Sequence, residues 1–585
     1  MTKKFLSSVL MTLMLLTPKD VLANTMNEQA DVLPFGLSAK TIEAFANQTA
    51  WRRLLFFTDK AQQNTPSKLS NPKFFLAKSG HDNPQDELMA MLTAIEKHDT
   101  DAMCRFVART ALLQEWLAQH GQKIDFDEQQ CADFSAWEKQ MNADSLSLVF
   151  AEEHANNLAS AFAHVLIRAD TQSRDENLAT AINYTVLGNP DDKAAVAAVK
   201  SIFGRYAGVM EILPFTKKRD DYLVVDNRDL WQYRLNLNPQ EVRQIIRHIW
   251  EVKDMQRPYF FTHDNCATEI VRLIDVVRPT EQLAKKVGKI VIPSQIAKVL
   301  SEQGLVQSEQ FLPSNATVRQ AKLNHAHKQP AYIKPSHNNP ATATSVHRVG
   351  LGVGQLDKQT IAELSINAAY QDVLDNPKGV RQFHDVQLLS IKAHAGDERL
   401  TLHEATLFAS RSLNPVNTAK NNAQDGQAAY ASGMLLGVLR ETDASSPDNP
   451  RHLVLAAGMQ RGKSWAIGHA ERGTGQIADT ICYVLGGGRV QLGRLNQGYR
   501  VGVDGSIGCI HHANDKLRGQ IELSVPWYYH QDTTQYQRTH YIQPSIYAGL
   551  QYDLSNRHAI RWSTKLEKVN RDYQHQSVIS LQRYF

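Results

Sequence analysis

The sequence predicts a multi-domain chain: an α-helical N-terminal region, an α+β domain, and a C-terminal antiparallel transmembrane β-barrel of about 12 strands. Three observations lead there. Apolar residues recur at three- and four-residue spacing from about Leu37 to Trp137. From Leu146, short apolar runs of strand length take over and then give way to helical spacing. Beyond residue 345, apolar and polar residues alternate with a two-residue period. At 585 residues the chain exceeds what one hydrophobic core organises, so about three or four folding units are expected.

The first residues set the compartment. Lys3 and Lys4 precede an apolar run from Phe5 to Leu16, and Val21-Leu22-Ala23 ends on a small residue, which reads as an export signal over residues 1–23. The run is too short for a retained transmembrane helix, and no later segment offers roughly 20 unbroken apolar residues. The net charge of +4 is spread through both signs without a basic stripe, which argues against a nucleic-acid partner.

Five cysteines in an exported chain leave one over. Cys104 and Cys131 share a helical, polar region, and a disulfide between them would close a loop of about 28 residues, worth about 3 kcal/mol by chain entropy. Cys482 and Cys509 lie in the strand-rich C-terminal part, where they either pair or serve as small apolar residues. Cys266 stands alone, and in an oxidising compartment a lone thiol is either buried or used.

Residues 24–145 form the helical region, with ELMAMLTAIEKH and CRFVARTALLQEWLAQH as its clearest helices. Residues 146–305 form the α+β domain: LSLVFAEE, FAHVLIRAD and AINYTV are strands, and PQEVRQIIRHIWEVKD is a helix. Residues 306–345 are rich in Pro, Asn, His and Ala without periodicity and read as a linker.

Residues 346–585 are the barrel. In YIQPSIYAGLQYDL, Ile542, Ile546, Ala548, Leu550, Tyr552 and Leu554 share one face, against Gln543, Ser545, Gln551 and Asp553 on the other. In GQIELSVPWYY, Ile521, Leu523, Val525 and Trp527 alternate with Gln520, Glu522 and Ser524. Such strands, at about 20 residues per strand and turn, suit a closed sheet in lipid, because closure satisfies every backbone group. A soluble antiparallel sandwich shares the alternation, but strand length and the export signal favour the barrel. The terminal Phe585 resembles the C-terminal signature of bacterial outer-membrane barrels, although Arg583 stands where that pattern has an apolar residue.

The chemistry concentrates in YFFTHDNCATEIVRLID, Tyr259 to Asp275. Cys266 directly precedes an apolar helical stripe of Ile270, Val271, Leu273, Ile274 and Val277, and Asp264 and Asn265 are N-cap types. A thiol at a helix N-terminus gains from the positive end of the macrodipole. A thiol nucleophile also needs a base. Among 22 histidines, His164 sits in the apolar strand SAFAHVLIRAD, and His263 lies just before the cysteine helix, where solvent or backbone contact is its simpler role. Taken alone, a histidine in a strand is more often a satisfied core residue than a base.

A resemblance selects between these. FAHVLIRAD, AINYTV, the stretch KSIFGRYAGVMEILPFTKKRDDYLVVDNRDLWQYRLNLNPQEVRQIIRHIWEV and PYFFTHDNCATEI, in that order, resemble the N-terminal periplasmic domain of Lnb, the lipoprotein N-acyltransferase family of Bacteroidetes. Its marks are a histidine in a Phe-Gly-His-like strand and an Asn-Cys-Ser/Thr motif. The resemblance implies a papain-like, permuted NlpC-type thiol domain with Cys266 as nucleophile, His164 as base, and Asn265 beside the cysteine. Ala163 departs from the family glycine, which bears on how closely substrate approaches the backbone, and Ala267 departs from the usual Ser or Thr. Asn183 or Tyr184 would orient His164. Arg228, Asp229 and Trp231 match family positions and equally suit packing.

The expected activity is a cysteine-dependent acyl transfer or hydrolysis through a thioester, on a membrane lipid, lipoprotein or amide-bearing envelope substrate, with helix-start N–H groups stabilising the oxyanion and without a cofactor. The competing class is a non-enzymatic outer-membrane channel or exporter with a periplasmic gating domain. His325 and His327 lack a ligand-type partner at metal spacing, GGGR at 486–489 suits a barrel turn rather than a phosphate loop, and NAT at 315–317 is a glycosylation pattern of little consequence in a chain that reads as bacterial.

Overall fold

The computed structural model describes residues 33–58, 65–154, 161–189, 191–192, 194–325, 328, 332–335, 339–396, 399–413, 431–445, 450–468, 470–495, 498–530 and 539–585. The export signal expected at 1–23 and His327 lie outside them.

The helical region packs Phe45, Trp51, Phe74, Leu92 and Leu117 into one core. Its helices begin at side-chain caps: Ser38 accepts from the Thr41 N–H, and Asn83 accepts from the Gln85 N–H with Pro84 in the first turn. Buried Arg109 pairs with Glu87 at 2.6 Å and with Glu251 at 3.1 Å. Glu251 belongs to the helix Pro239–Val252 of the next unit, so this ion cluster fastens the two units together. Cys104 and Cys131 are disulfide-bonded, with Cα atoms 5.2 Å apart.

The α+β unit is a seven-stranded antiparallel sheet. Its strands are β1 (Ser145–Ala151), β2 (His164–Asp170), β3 (Thr180–Leu187), β4 (Tyr206–Pro214), β5 (Leu230–Leu235), β6 (Arg257–Tyr259) and β7 (Val306–Leu312), in spatial order β6-β4-β3-β2-β1-β5-β7. One face, with Leu148, Phe150, Val165 and Ile167, is covered by the helices Pro239–Val252, Cys266–Val277 and Pro293–Glu302. The other face carries Val149, Leu166, Phe215 and Tyr222.

The linker expected over 306–345 is partly built into this unit. Val306–Leu312 is the edge strand β7 on β5, and a helix follows at Asn315–Asn324. Gln307, Ser308, Glu309 and Gln310 are all exposed, so the strand is held by backbone pairing and shows no apolar period. The NAT at 315–317 opens that helix, whose N-cap Ser314 donates its N–H to Asp229.

The C-terminal unit is a closed 12-strand antiparallel barrel. Its first strand, Arg348–Leu356, pairs with its last, Asp572–Tyr584. Pro526 and Pro544 each interrupt a strand, because neither can donate to the ladder, and the interruptions lie side by side with the Gln543 N–H donating to the Pro526 carbonyl. Leu351, Val353, Leu523, Trp527, Ile546, Leu550 and Leu554 point outward and are exposed, while Arg348, Glu363, Lys392, Glu404 and Arg561 line the lumen. An apolar outside around a charged inside is an arrangement for lipid, and the barrel lies in the outer membrane. GGGR does not form a turn: Gly486–Arg489 lies inside the strand Thr480–Gly493. Cys482 and Cys509, directly opposite on neighbouring strands, form a second disulfide.

The α+β unit seats against one end of the barrel. The Arg381 N–H donates to Glu153 at 3.3 Å. Ala161, Phe162 and Ile292 share an apolar cluster with the barrel's Val386, Leu388 and Phe408. The start of β2 is therefore next to the membrane-spanning wall.

Candidate active site

Cys266 is the first residue of the helix Cys266–Val277 because Asn265 caps it. The Asn265 Oδ1 accepts from the N–H groups of Ala267 (3.0 Å) and Thr268 (3.2 Å), and its Nδ2 donates to the carbonyls of Phe261 and Val291, both at 2.8 Å. Thr268 completes the reciprocal box by accepting from the Asn265 N–H at 2.8 Å. Thr268 thus carries the capping hydroxyl, and Ala267 packs fully buried. Ile270, Val271, Leu273 and Ile274 anchor the helix on the sheet, each burial contributing about 1.5–3 kcal/mol.

His164 opens β2. β1 and β2 pair along seven positions down to Ala151 and His164, whereas the β2–β3 ladder stops at Ile167 and Ile182. The splayed end leaves the Val165 N–H for the Cys266 thiol, which also hydrogen-bonds the His164 ring and the Tyr259 hydroxyl. Burial pushes the Cys266 thiol up, but the imidazole charge of His164 and these three hydrogen bonds outweigh it, and the net shift is downward. Cys266 is the free cysteine among the described residues and is only 3% exposed.

The histidine is itself held. Its Nε2 lies 2.6 Å from the Asn183 Oδ1, and the Asn183 Nδ2 donates to Glu211 at 2.8 Å. Lys218 pairs with Glu211 at 3.1 Å. A carboxylate only accepts, so the Asn183 amide must turn its NH₂ to Glu211 and its oxygen to His164. His164 Nε2 then carries the proton, and Nδ1 is the nitrogen left to take one from the thiol. Burial raises the Glu211 carboxyl, yet the bonds from Asn183 and Lys218 bring it below its ordinary value, which keeps it an acceptor.

Of the two candidates for orienting His164, Asn183 occupies the position. Tyr184, the next residue on β3, faces the opposite side of the strand and stacks on Tyr259 with ring centroids 5.7 Å apart. Tyr259 accepts from the Cys266 N–H at 3.3 Å. Burial raises its phenol, and the adjacent thiol adds to this, so the hydroxyl stays protonated and is a donor. The Ala267 and Thr268 N–H groups are used by Asn265 and the Cys266 N–H by the Tyr259 hydroxyl, so the helix-start donor beside the sulfur is the Cys266 N–H, paired with the Tyr259 hydroxyl.

Ala163 has φ +66°, the left-handed region that favours glycine. The position therefore carries a backbone requirement of its own. Arg228 donates to the carbonyls of Ala151 and Glu152, Asp229 accepts from Ser314 and Thr317, and Trp231 is a core residue of the sheet, so all three hold the fold. His263 stacks on Phe260 and bonds Thr262, away from the thiol. His325 follows the helix Asn315–Asn324, and no grouping of three or more His, Cys, Asp or Glu suited to a metal occurs among the described residues.

Glu211, Tyr222 and Tyr259 were not singled out from the sequence. The Tyr222 ring lies 6.3 Å from His164, with its phenol raised by burial despite Arg228 nearby. Tyr259, seven residues before Cys266 in the quoted stretch, was the legible one; Glu211 and Tyr222 are joined to the site only through β4 and the chain beyond it.

Comparison with known proteins extends these observations. Residues 133–303 match the Lnb N-terminal periplasmic domain, residues 337–584 match a domain of unknown function (DUF7840), and residues 43–119 match another (DUF7843). No curated protein matches the chain. Similar solved structures include the COG4313 outer membrane channel from Pseudomonas putida F1, at 9% identity and TM-score 0.27, covering 43% of this chain and 100% of that one. A loop L8 deletion mutant of OmpT, an outer membrane protein of Vibrio cholerae, shows 9% identity and TM-score 0.21 over 41% of this chain and 97% of that one. The NanC porin shows 10% identity and TM-score 0.24 over 41% and 99%. This is an envelope protein in which a unit that matches the Lnb N-terminal periplasmic domain over residues 133–303 is joined to an outer-membrane β-barrel.

Proposed function

We propose that the protein is a cysteine-dependent acyltransferase or hydrolase working at the inner surface of the outer membrane. The observation that carries this reading is the ordered relay Cys266–His164–Asn183–Glu211, in which each group's hydrogen-bonding direction is fixed by the one after it.

In the proposed reaction the Cys266 proton passes to His164 Nδ1 as Sγ bonds the acyl carbonyl carbon. The resulting oxyanion is met by the Cys266 N–H, which leaves the Tyr259 oxygen, and by the Tyr259 hydroxyl, which leaves the sulfur. Collapse breaks the bond to the leaving alcohol or amine, which takes the proton from His164, and leaves a thioester on Cys266. An incoming amine or water gives a proton to His164, bonds the carbonyl carbon and expels the sulfur, which recovers the proton. An amine gives acyl transfer to an amide; water gives a free acid. Anchorage beside the bilayer raises the effective concentration of a membrane-borne acyl substrate, which favours a lipid or lipoprotein over a soluble metabolite.

The test is intact-protein mass spectrometry of the full chain purified from its own membrane, with and without hydroxylamine. A hydroxylamine-sensitive mass gain of one acyl chain, absent in Cys266→Ser and accumulating in no other position, is expected. A protein that never acylates, and whose Cys266 alkylates no faster than an ordinary buried thiol, sinks the reading.

A further inference from the structure

A trough of about 470 Å³ runs along the outer wall of the barrel and ends under Ile202 of the α+β unit. Its size falls within the ~300–1,000 Å³ of small-molecule sites. The floor is made shallow by missing side chains: Ala457 and Gly488 point outward between Met459, Val490 and Val501, so the wall has a furrow where neighbouring strands carry bulk. Met459, Val490 and Val501 are exposed on a surface that faces hydrocarbon, so the trough is continuous with the bilayer interior.

From the upper end of the trough a run of packed aromatic rings reaches the thiol. Phe408, at that end, lies 6.1 Å from Phe162; Phe162 lies 6.4 Å from Phe261; and Phe261 lies 5.6 Å from Tyr259. Tyr259 bonds Cys266. Phe162 is also two residues from His164, so the same aromatic run flanks both reacting groups. A second observation places the bilayer at this corner. Leu187, Val196 and Phe203, on the β3 end and on and just after the helix Ala194–Ile202, are 56%, 44% and 61% exposed. Bulky apolar groups exposed together beside a transmembrane wall suit immersion in lipid rather than water.

We propose that this trough seats one acyl chain of a bilayer glycerophospholipid and guides its ester end past Ile202 toward Cys266. The seating stands on the trough alone; the guidance to the thiol rests on the acyl-transfer reading above. The substrate then arrives sideways, from the leaflet nearest the α+β unit, instead of through the charged lumen.

The full chain is reconstituted in phosphatidylethanolamine/phosphatidylglycerol vesicles doped with phosphatidylcholine carrying a diazirine on one acyl chain, irradiated and mapped by peptide mass spectrometry. Crosslinks are expected to concentrate on residues 434–436, 457–459 and 488–490 at least about fivefold over the opposite wall at Ile579 and Leu581. Gly488→Trp and Ala457→Trp, which fill the furrow, should each cut trough crosslinking about fivefold, while Ile579→Trp should not; heat-modifiable gel mobility identifies any variant that fails to fold, and either filling variant suffices. Cys266→Ser should keep the crosslinks. Uniform labelling around the barrel, or labelling indifferent to both filling variants, overturns the proposal. Trough labelling in a protein that forms no thioester upholds the seating and overturns the acyl-transfer reading instead.

Discussion

The Asn183 Oδ1 sits 2.6 Å from His164 Nε2 because its amide nitrogen is committed to Glu211 on the neighbouring strand. One side-chain amide therefore sets both the tautomer and the ring plane of the histidine that touches Cys266.

Replacing Asn183 with Ala removes that control. Turnover is expected to fall about 10- to 100-fold, the usual range when an orienting partner is lost. Asn183→Asp should restore ring orientation while adding charge, so its pH–rate profile should move relative to wild type, whereas a purely structural role for Asn183 would leave the profile in place.

His164→Ala should change how Cys266 titrates. In the wild type the imidazole charge and the hydrogen bonds hold the thiol below its ordinary value against the opposing push of burial. Without the imidazole, burial is opposed only by the Val165 N–H and Tyr259 bonds, so the thiol should titrate higher and a smaller fraction should be thiolate at neutral pH. Iodoacetamide labelling followed across pH should show the midpoint moving upward; an unchanged midpoint would mean that the two side chains do not communicate.

Tyr259→Phe keeps the ring stacked on Tyr184 and removes the hydroxyl beside the sulfur. Under the proposed mechanism the acylation rate should fall about 10²- to 10³-fold, the scale of one oxyanion donor. Thermal unfolding should change little, because the aromatic packing is retained.

Ala163 tests the backbone rather than the chemistry. Ala163→Val places a β-branched residue at φ +66° and should destabilise the α+β unit by about 1–3 kcal/mol, whereas Ala163→Gly should not destabilise it. Denaturant titration followed by near-ultraviolet circular dichroism separates the two.

Much of this architecture is written in local pattern. Twofold alternation reports the barrel because lipid on one side and lumen on the other select side chains strictly by parity, as at Ile546, Leu550 and Leu554. Helical spacing after Asn265 reports a capped helix with Cys266 at its head. The edge strand β7 left no such trace, since its exposed polar residues are recruited by backbone hydrogen bonds alone.

The site divides along the same line. Residue chemistry by itself determined that Cys266 is the unpaired thiol at a helix start and that Asn183 and Tyr184 lie on a strand. Only the tertiary structure decided which face of β3 meets His164, which helix-start amides Asn265 and Tyr259 take, and that Glu211 and Tyr259 close the network. The physical reason is distance along the chain: a periodic pattern records what a residue buries against, while the direction of a hydrogen bond depends on which strand happens to lie opposite.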